Sequence, residues 1–133
     1  MTLTLTILGC GSSAGVPRPA LGWGACDPKN PKNRRRRCSL LVERTGDQGT
    51  TRILIDTSPD LRQQALRANL RQVDGVLYTH EHGDHSHGID DLKRFNYLKQ
   101  DQLHIYGDAR TIQLLESRFS YAFLEPNPKY GWF

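Results

Sequence analysis

The chain has 133 residues, enough for one domain with its own core, and 37% hydrophobic with 24% charged residues is the balance of a folded, soluble protein rather than a disordered one. No apolar run approaches the roughly 18 residues of a membrane-crossing helix, and with three cysteines without paired spacing and no secretory signal a reducing cytoplasm is the simplest expected setting. The net charge of +4 is local, with Lys29, Lys32 and Arg34 to Arg37 falling within nine residues, which predicts either a solvated basic loop or a segment that takes phosphate.

In chain order, Thr2 to Leu8 alternates threonine with Leu3, Leu5 and Ile7, the period of a strand that buries its apolar side. Gly9 to Pro17 follows, with three glycines and two serines; it predicts a tight loop whose free backbone N–H groups can hold an anion, although it lacks the lysine of a P-loop. Residues 18 to 37 carry Pro19, Gly22, Gly24, Pro28 and Pro31 and read as irregular. Cys26 and Cys38 are too far apart for a short metal knuckle and are expected to be buried as small apolar groups.

Ser39 to Arg44 and Thr51 to Ile55 are apolar and β-branched around Gly46-Asp47-Gln48-Gly49, a hairpin pattern. The second strand delivers Asp56, which is either a turn residue or a carboxylate that orients a metal ligand from behind. Ser58-Pro59-Asp60 predicts a helix start with Ser58 as N-cap, running to about Asn69 with Leu61, Ala65 and Ala68 on its buried face. A short strand over Val73 to Tyr78 precedes a helix marked by Ile89, Leu92 and Phe95. Leu103 to Tyr106 predicts another strand, Asp108 caps a helix over 109–119 that buries Ile112, Leu115 and Phe119, and Pro126 to Phe133 reads as an irregular tail.

Four of the five histidines fall in the stretch Thr79-His80-Glu81-His82-Gly83-Asp84-His85-Ser86-His87-Gly88, at the exit of the Val73 to Tyr78 strand. Imidazole and carboxylate are the usual ligands of zinc, manganese and iron. His80 and His82 are two apart, so on extended backbone they point the same way and can share one ion. Asp84 and His85 would project from the first turn of a helix toward a second ion, with Gly83 giving the backbone freedom to turn between the pairs. His87 reads as a helix-start or substrate-side residue rather than a ligand, and His104 lies inside an apolar strand.

The motif His80-x-His82-x-Asp84-His85 resembles the HxHxDH signature of the metallo-β-lactamase superfamily. Leu8-Gly9-Cys10-Gly11-Ser12-Ser13-Ala14-Gly15-Val16-Pro17 and Leu54-Ile55-Asp56 resemble its phosphodiesterase branch, in particular the phosphoribosyl cyclic-phosphate phosphodiesterases of phosphonate breakdown. The ribonucleases that trim transfer RNA 3′ ends and the pyrroloquinoline-quinone biosynthesis subfamily are similar in the same motifs. The resemblance implies two divalent metal ions, Zn²⁺ or Mn²⁺, one held by His80 and His82 and the other by Asp84 and His85. It further implies Asp56 as support behind the ligands and Asp84 as a residue that can also pass a proton. Relatives can carry a cysteine-rich structural zinc site in the loop that here reads Trp23-Gly24-Ala25-Cys26, and with one cysteine there none is expected in this chain.

The family completes its centre with ligands from a C-terminal half that this sequence does not contain. The expected fold is therefore α/β (α+β): residues 1–133 as a single partial domain, the N-terminal half of an αββα sandwich, with a mixed, mostly antiparallel sheet and helices on one face. The expected activity is hydrolysis of a small cyclic phosphate or another phosphodiester. Two alternatives stand beside it, an endoribonuclease of the transfer RNA 3′-processing type and a non-catalytic half-domain that binds metal, nucleic acid or a partner chain. The expected partners are a small phosphorylated substrate, RNA in the alternative, no membrane, and a second copy or a complementing C-terminal half over the uncovered sheet face. No substrate-binding residue is singled out.

Overall fold

The computed structural model describes residues 1–99 and 102–123, so the Pro126 to Phe133 tail lies outside the described residues. Five strands form one sheet in the order β1-β2-β3-β4-β5: β1 (Thr2–Gly9), β2 (Ser39–Gly46), β3 (Gly49–Ile55), β4 (Gly75–Leu77) and β5 (His104–Tyr106). The first three are antiparallel and the last two join in parallel. That switch follows from the connections: a two-residue turn joins β2 to β3, whereas parallel neighbours need a crossover, supplied here by α1 (Leu61–Arg67) and by the segment holding α2 (Gly83–Ser86) and α3 (Lys93–Lys99). Helix α4 (Ala109–Arg118) follows β5 and leads into a 3₁₀ turn, Ser120–Ala122, with the Asp108 side chain accepting from the Thr111 amide at the helix N-terminus.

Each sheet face can be read from register. Leu41, Leu54 and Val76 point to one side and are buried with Leu61, Leu70, Ile89, Leu92 and Leu115 from the crossovers and α4. On the other side Leu3, Leu5 and Ile7 stand opposite Arg44, Val42 and Leu40, and the row continues through Ile53 and Ile55 to Leu77 and Tyr106. Leu3, Leu5 and Ile7 are 66%, 62% and 69% exposed, which corrects the expectation that β1 buries its apolar side. The alternation is that of a strand, but β1 is an edge strand and, among the described residues, nothing covers this face. Fully burying a leucine contributes about 2 kcal/mol, so Leu54 and Leu61 stabilise the fold while the bare row adds little until something covers it.

Other differences from the sequence reading have local causes. The hairpin is tighter, since Gly46 pairs with Gly49 and only Asp47 and Gln48 turn. Helix α1 starts after Asp60 rather than Ser58: the Ser58 hydroxyl bonds Gln64 and the Asp60 amide, and Gln64 is buried because its amide nitrogen also donates to the Arg37 carbonyl. The helix read over Ile89 to Phe95 is a 3₁₀ turn, Ile89–Leu92, running into α3. Cys26 is half-buried and Cys38 exposed, so neither is a core residue. Among the described residues no helix is long and apolar enough to cross a membrane.

Two close approaches place the loops. The arginine run lies against the glycine loop, with Gly11 N donating to Arg36 O (2.7 Å) and Val16 and Arg35 exchanging both backbone hydrogen bonds (2.9 Å each). A Cβ on Gly11 would stand 2.8 Å from the Arg36 carbonyl oxygen, so only glycine lets the two backbones meet. At the motif, Gly88 N donates to Thr57 O and a Cβ on Gly88 would overlap the Ser58 carbonyl. Gly88→Ala is therefore expected to cost about 2–3 kcal/mol, as overpacking of a fixed contact does, and thermal unfolding checks it.

Candidate metal centre

Strands β3 and β4 end side by side, and the chain leaving β3 clamps the chain leaving β4. Thr57 N donates to His85 O (2.8 Å) and the Thr57 hydroxyl donates to Ser86 O (3.2 Å). With its hydrogen so used, that hydroxyl accepts from Tyr78 at 2.7 Å, and burial pushes the Tyr78 phenol well above its ordinary range, so it stays a donor. The clamp fixes the backbone of the histidine stretch before any side chain is considered.

Asp56 is the hub of the side chains. Its backbone is left-handed, φ +58°, a conformation that costs a non-glycine residue energy and that aspartate and asparagine tolerate best. It is 4% exposed, and its carboxylate accepts from Thr79 N (2.8 Å), from the Thr79 hydroxyl (2.7 Å) and from His85 Nδ1 (2.7 Å). An ionised carboxylate offers only lone pairs, so His85 carries its hydrogen on Nδ1 and turns Nε2 outward. Thr79 has one hydroxyl hydrogen and spends it on Asp56. At His80 Nδ1, 3.0 Å away, it therefore accepts, which puts the His80 hydrogen on Nδ1 and leaves Nε2 as the free lone pair. One buried carboxylate thus sets both rings, the second through a hydroxyl relay.

The structure brings the four candidate ligands together. The ring of His80 lies 4.7 Å from His82 and 4.1 Å from His85, centroid to centroid, and His85 Nε2 is 3.3 Å from Asp84 Oδ2. Asp84 and His85 occupy the first turn of α2, and His82 precedes it on extended backbone. His87 is at the end of α2, not its start, with its ring against Gly83 and edge-on to Phe119 at 5.8 Å. His104 pairs with Gly75 at the beginning of β4, on the open sheet face.

This donor set suits a divalent cation on chemical grounds. The outward Nε2 lone pair of His85 faces a carboxylate oxygen at 3.3 Å, and two acceptors hold that position only with a proton or a cation between them. Among the described residues no group of three His, Cys, Asp or Glu side chains is placed to hold one ion. Cys38 does not add a ready thiolate. Although the residue is exposed, partial desolvation of the sulfur pushes its thiol up, with Cys10, Asp56 and Asp84 acting in the same direction.

Thr79 was not singled out from sequence, and its only signal is a hydroxyl directly before a candidate ligand histidine. Replacing it with valine keeps the β-branch and removes the relay. Thr79→Val is expected to weaken metal binding about tenfold and to mix the His80 tautomers, while Thr79→Ser stays close to the parent protein. Imidazole ¹⁵N shifts of the metal-free protein, together with metal titration, check this.

Residues 51–132 match the profile of the family described as Beta-lactamase superfamily domain, more than half of the chain. The chain belongs to this family. Among curated relatives of this β-lactamase superfamily domain, an octanoyltransferase from Porphyromonas gingivalis is 40% identical over 125 residues, 94% of this chain and 24% of its own length. Ribonuclease Z of Bradyrhizobium diazoefficiens is 37% identical over 99 residues, 71% of this chain and 31% of its own. A solved structure of a diphosphatase from the PhnP family superposes with a TM-score of 0.81 at 36% identity, covering 90% of this chain and 47% of that one. Zn²⁺-bound PqqB from Methylobacterium extorquens gives 0.60 at 20% identity over 90% of this chain and 40% of that one, a likeness of fold alone. The domain thus spans between a quarter and a half of the proteins it matches, and its mixed sheet with helices on one face is the N-terminal half of the metallo-β-lactamase fold.

Proposed function

We propose that the protein is a metal-dependent hydrolase of phosphodiester bonds, most closely a small cyclic-phosphate phosphodiesterase, working in the cytoplasm at a dinuclear centre of Zn²⁺ or Mn²⁺. The observation that carries this reading is the pair of imidazoles, His80 and His85, held with Nε2 outward by one buried Asp56 and flanked by His82 and Asp84. The likeness to a PhnP-family diphosphatase at 36% identity supports phosphorus as the reacting centre. His80 and His82 would hold one ion and Asp84 and His85 the other.

When bound, such cations supply a hydroxide near neutral pH and neutralise charge on phosphoryl oxygens. The protein's own part is preorganisation. Asp56 and Thr79 keep the hydrogens of His85 and His80 on Nδ1, so neither ring must change tautomer as it takes up its role. Asp84, with Oδ2 3.3 Å from His85 Nε2, would in this reading also accept and return a proton. Two donors per ion are too few to fix a coordination sphere, and the chain covers 47% of the related diphosphatase; we therefore assign the remaining ligands to residues beyond this sequence. The bare row Leu3, Leu5, Ile7 and Leu77 is the face over which that remainder, or a second copy, would pack.

The experiment is an assay of the full-length protein, supplied with Zn²⁺ or Mn²⁺, on bis(4-nitrophenyl) phosphate and on a ribose cyclic phosphate. Cleavage that disappears with chelator and returns with metal is expected. A metal-replete, folded protein inert on every phosphodiester tried would sink the proposal. The relationship to ribonuclease Z favours one second reading, cleavage of an RNA phosphodiester. A labelled transfer RNA precursor in the same assay decides between them.

A further inference from the structure

Arg34 and Arg35 of the arginine run are exposed, yet the run is not a loose loop. Its backbone is clamped along its length: Arg35 exchanges hydrogen bonds with Val16, Arg36 O accepts from Gly11, Arg37 O accepts from the Gln64 side chain (2.8 Å), and Arg37 N donates to Asp60 Oδ2 (2.9 Å). Those contacts engage the Gly11 and Val16 amides, and Gly15 N bonds Ser12 O, so three of the N–H groups expected to hold an anion are already used. The guanidinium groups of the run are the charged donors beside them.

Between the loop and the run lies a cleft of about 240 Å³, lined by Gly15, Pro17, Pro19, Gln63 and the four arginines, with Asp60 at its wall. Asp60 is spoken for: Arg37 meets it with two guanidinium contacts, 3.0 and 2.8 Å, which cancels both charges. Arg34 stacks on Trp23 at 5.1 Å, Arg35 Nη1 is 3.6 Å from Cys10 Sγ, and Arg36 Nε donates to Gln63 at 3.2 Å. Among the described residues none of these three has a carboxylate partner. Three guanidinium groups without a carboxylate partner on one anchored stretch of backbone make the local potential positive, which favours entry of an anion. Guanidinium forks match phosphate oxygens, and their preorganisation lowers the cost of binding.

We propose that this cleft binds a phosphate monoester or diphosphate group through Arg34, Arg35 and Arg36, at a place separate from the four candidate metal ligands. Its size suits one compact polyanion rather than a nucleic-acid strand. As a piece of the substrate, a role that rests on the hydrolase reading above, it would be a second phosphate remote from the bond that breaks. The anion site itself does not depend on that reading.

The test uses the full-length protein stripped of metal with chelator, so that failure of the anion site and failure of the metal centre read out separately. Calorimetry with inorganic pyrophosphate is expected to show binding, weakened about tenfold by Arg34→Gln and again by Arg36→Gln, as loss of one charge-assisted contact predicts. Arg44→Gln, an equal charge change on the exposed part of β2, is expected to leave binding intact. Arg34 is exposed, so its variant folds even if the Arg36 change disturbs α1, and circular dichroism verifies both. Glucose 6-phosphate binding more tightly than inorganic phosphate assigns the site to a phosphorylated metabolite; equal binding assigns it to the free anion, and both support a phosphate cleft. No pyrophosphate binding by the folded, metal-free protein overturns the proposal, as does an equal loss in Arg44→Gln. An RNA decamer that binds with a steep salt dependence and is not displaced by pyrophosphate overturns it in favour of a strand-binding surface.

Discussion

Full-length protein carrying His82→Ala is expected to keep its stability and lose its metal-dependent activity by on the order of a thousandfold, beyond the ten- to hundredfold that outer-sphere partners of a metal typically cost. The asymmetry comes from where His82 sits. Its side chain is exposed and caps no helix; its one described side-chain contact is edge-on packing against His80 at 4.7 Å. A surface side chain with so little structural work changes stability by about 0.5 kcal/mol or less when removed. Denaturation midpoints, bound metal and phosphodiester cleavage measured on one preparation therefore separate a ligand from a scaffold residue. Unchanged activity would remove His82 from the centre, and a large fall in stability would show that its role is structural.

Asp56 is expected to behave in the opposite way, affecting stability and the site together, and two substitutions divide the effects. Asparagine tolerates the left-handed backbone and can still accept from Thr79 N, but its amide NH₂ then faces His85 Nδ1 and the Thr79 hydroxyl, where hydrogens already point. His85 must move its hydrogen to Nε2, the atom needed outward. Asp56→Asn is thus expected to weaken metal binding by about ten- to hundredfold with a modest loss of stability. Asp56→Ala adds the backbone penalty and leaves buried donors without acceptors, on the order of 3 kcal/mol. Chemical denaturation and imidazole ¹⁵N shifts check both. If Asp56→Asn kept its metal affinity, Asp56 would not be the residue that orients His85.

What could be read from the sequence was whatever depends on neighbours along the chain. The β2–β3 hairpin is a local alternation around a glycine-flanked turn, and the His80 to His85 spacing is local chemistry, so both stood out. The face of β1 was not legible in the same way. Leu3, Leu5 and Ile7 reveal that one side is apolar, but whether that side is covered depends on elements far away in sequence. Gln64 was not singled out; it is buried because its side chain donates to the carbonyl of Arg37, 27 positions upstream. The break between α2 and α3 arises from Gly88 meeting the Ser58 carbonyl, a contact no periodicity encodes. Asp56 was readable as a candidate and not as a hub, since its three bonds go to Thr79 and His85, 23 and 29 residues on.

The Thr79 relay has a thermodynamic corollary. If His80 and His85 serve different ions, as proposed, their shared carboxylate would link the two positions energetically. Whatever orders the His85 ring firms up Asp56, Thr79 and, through them, His80, so occupancy of either position favours the other by the same factor. Metal titration of the parent protein should then be steeper than that of two independent sites, and Thr79→Val, by cutting the wire without touching a donor atom, should return it to independence.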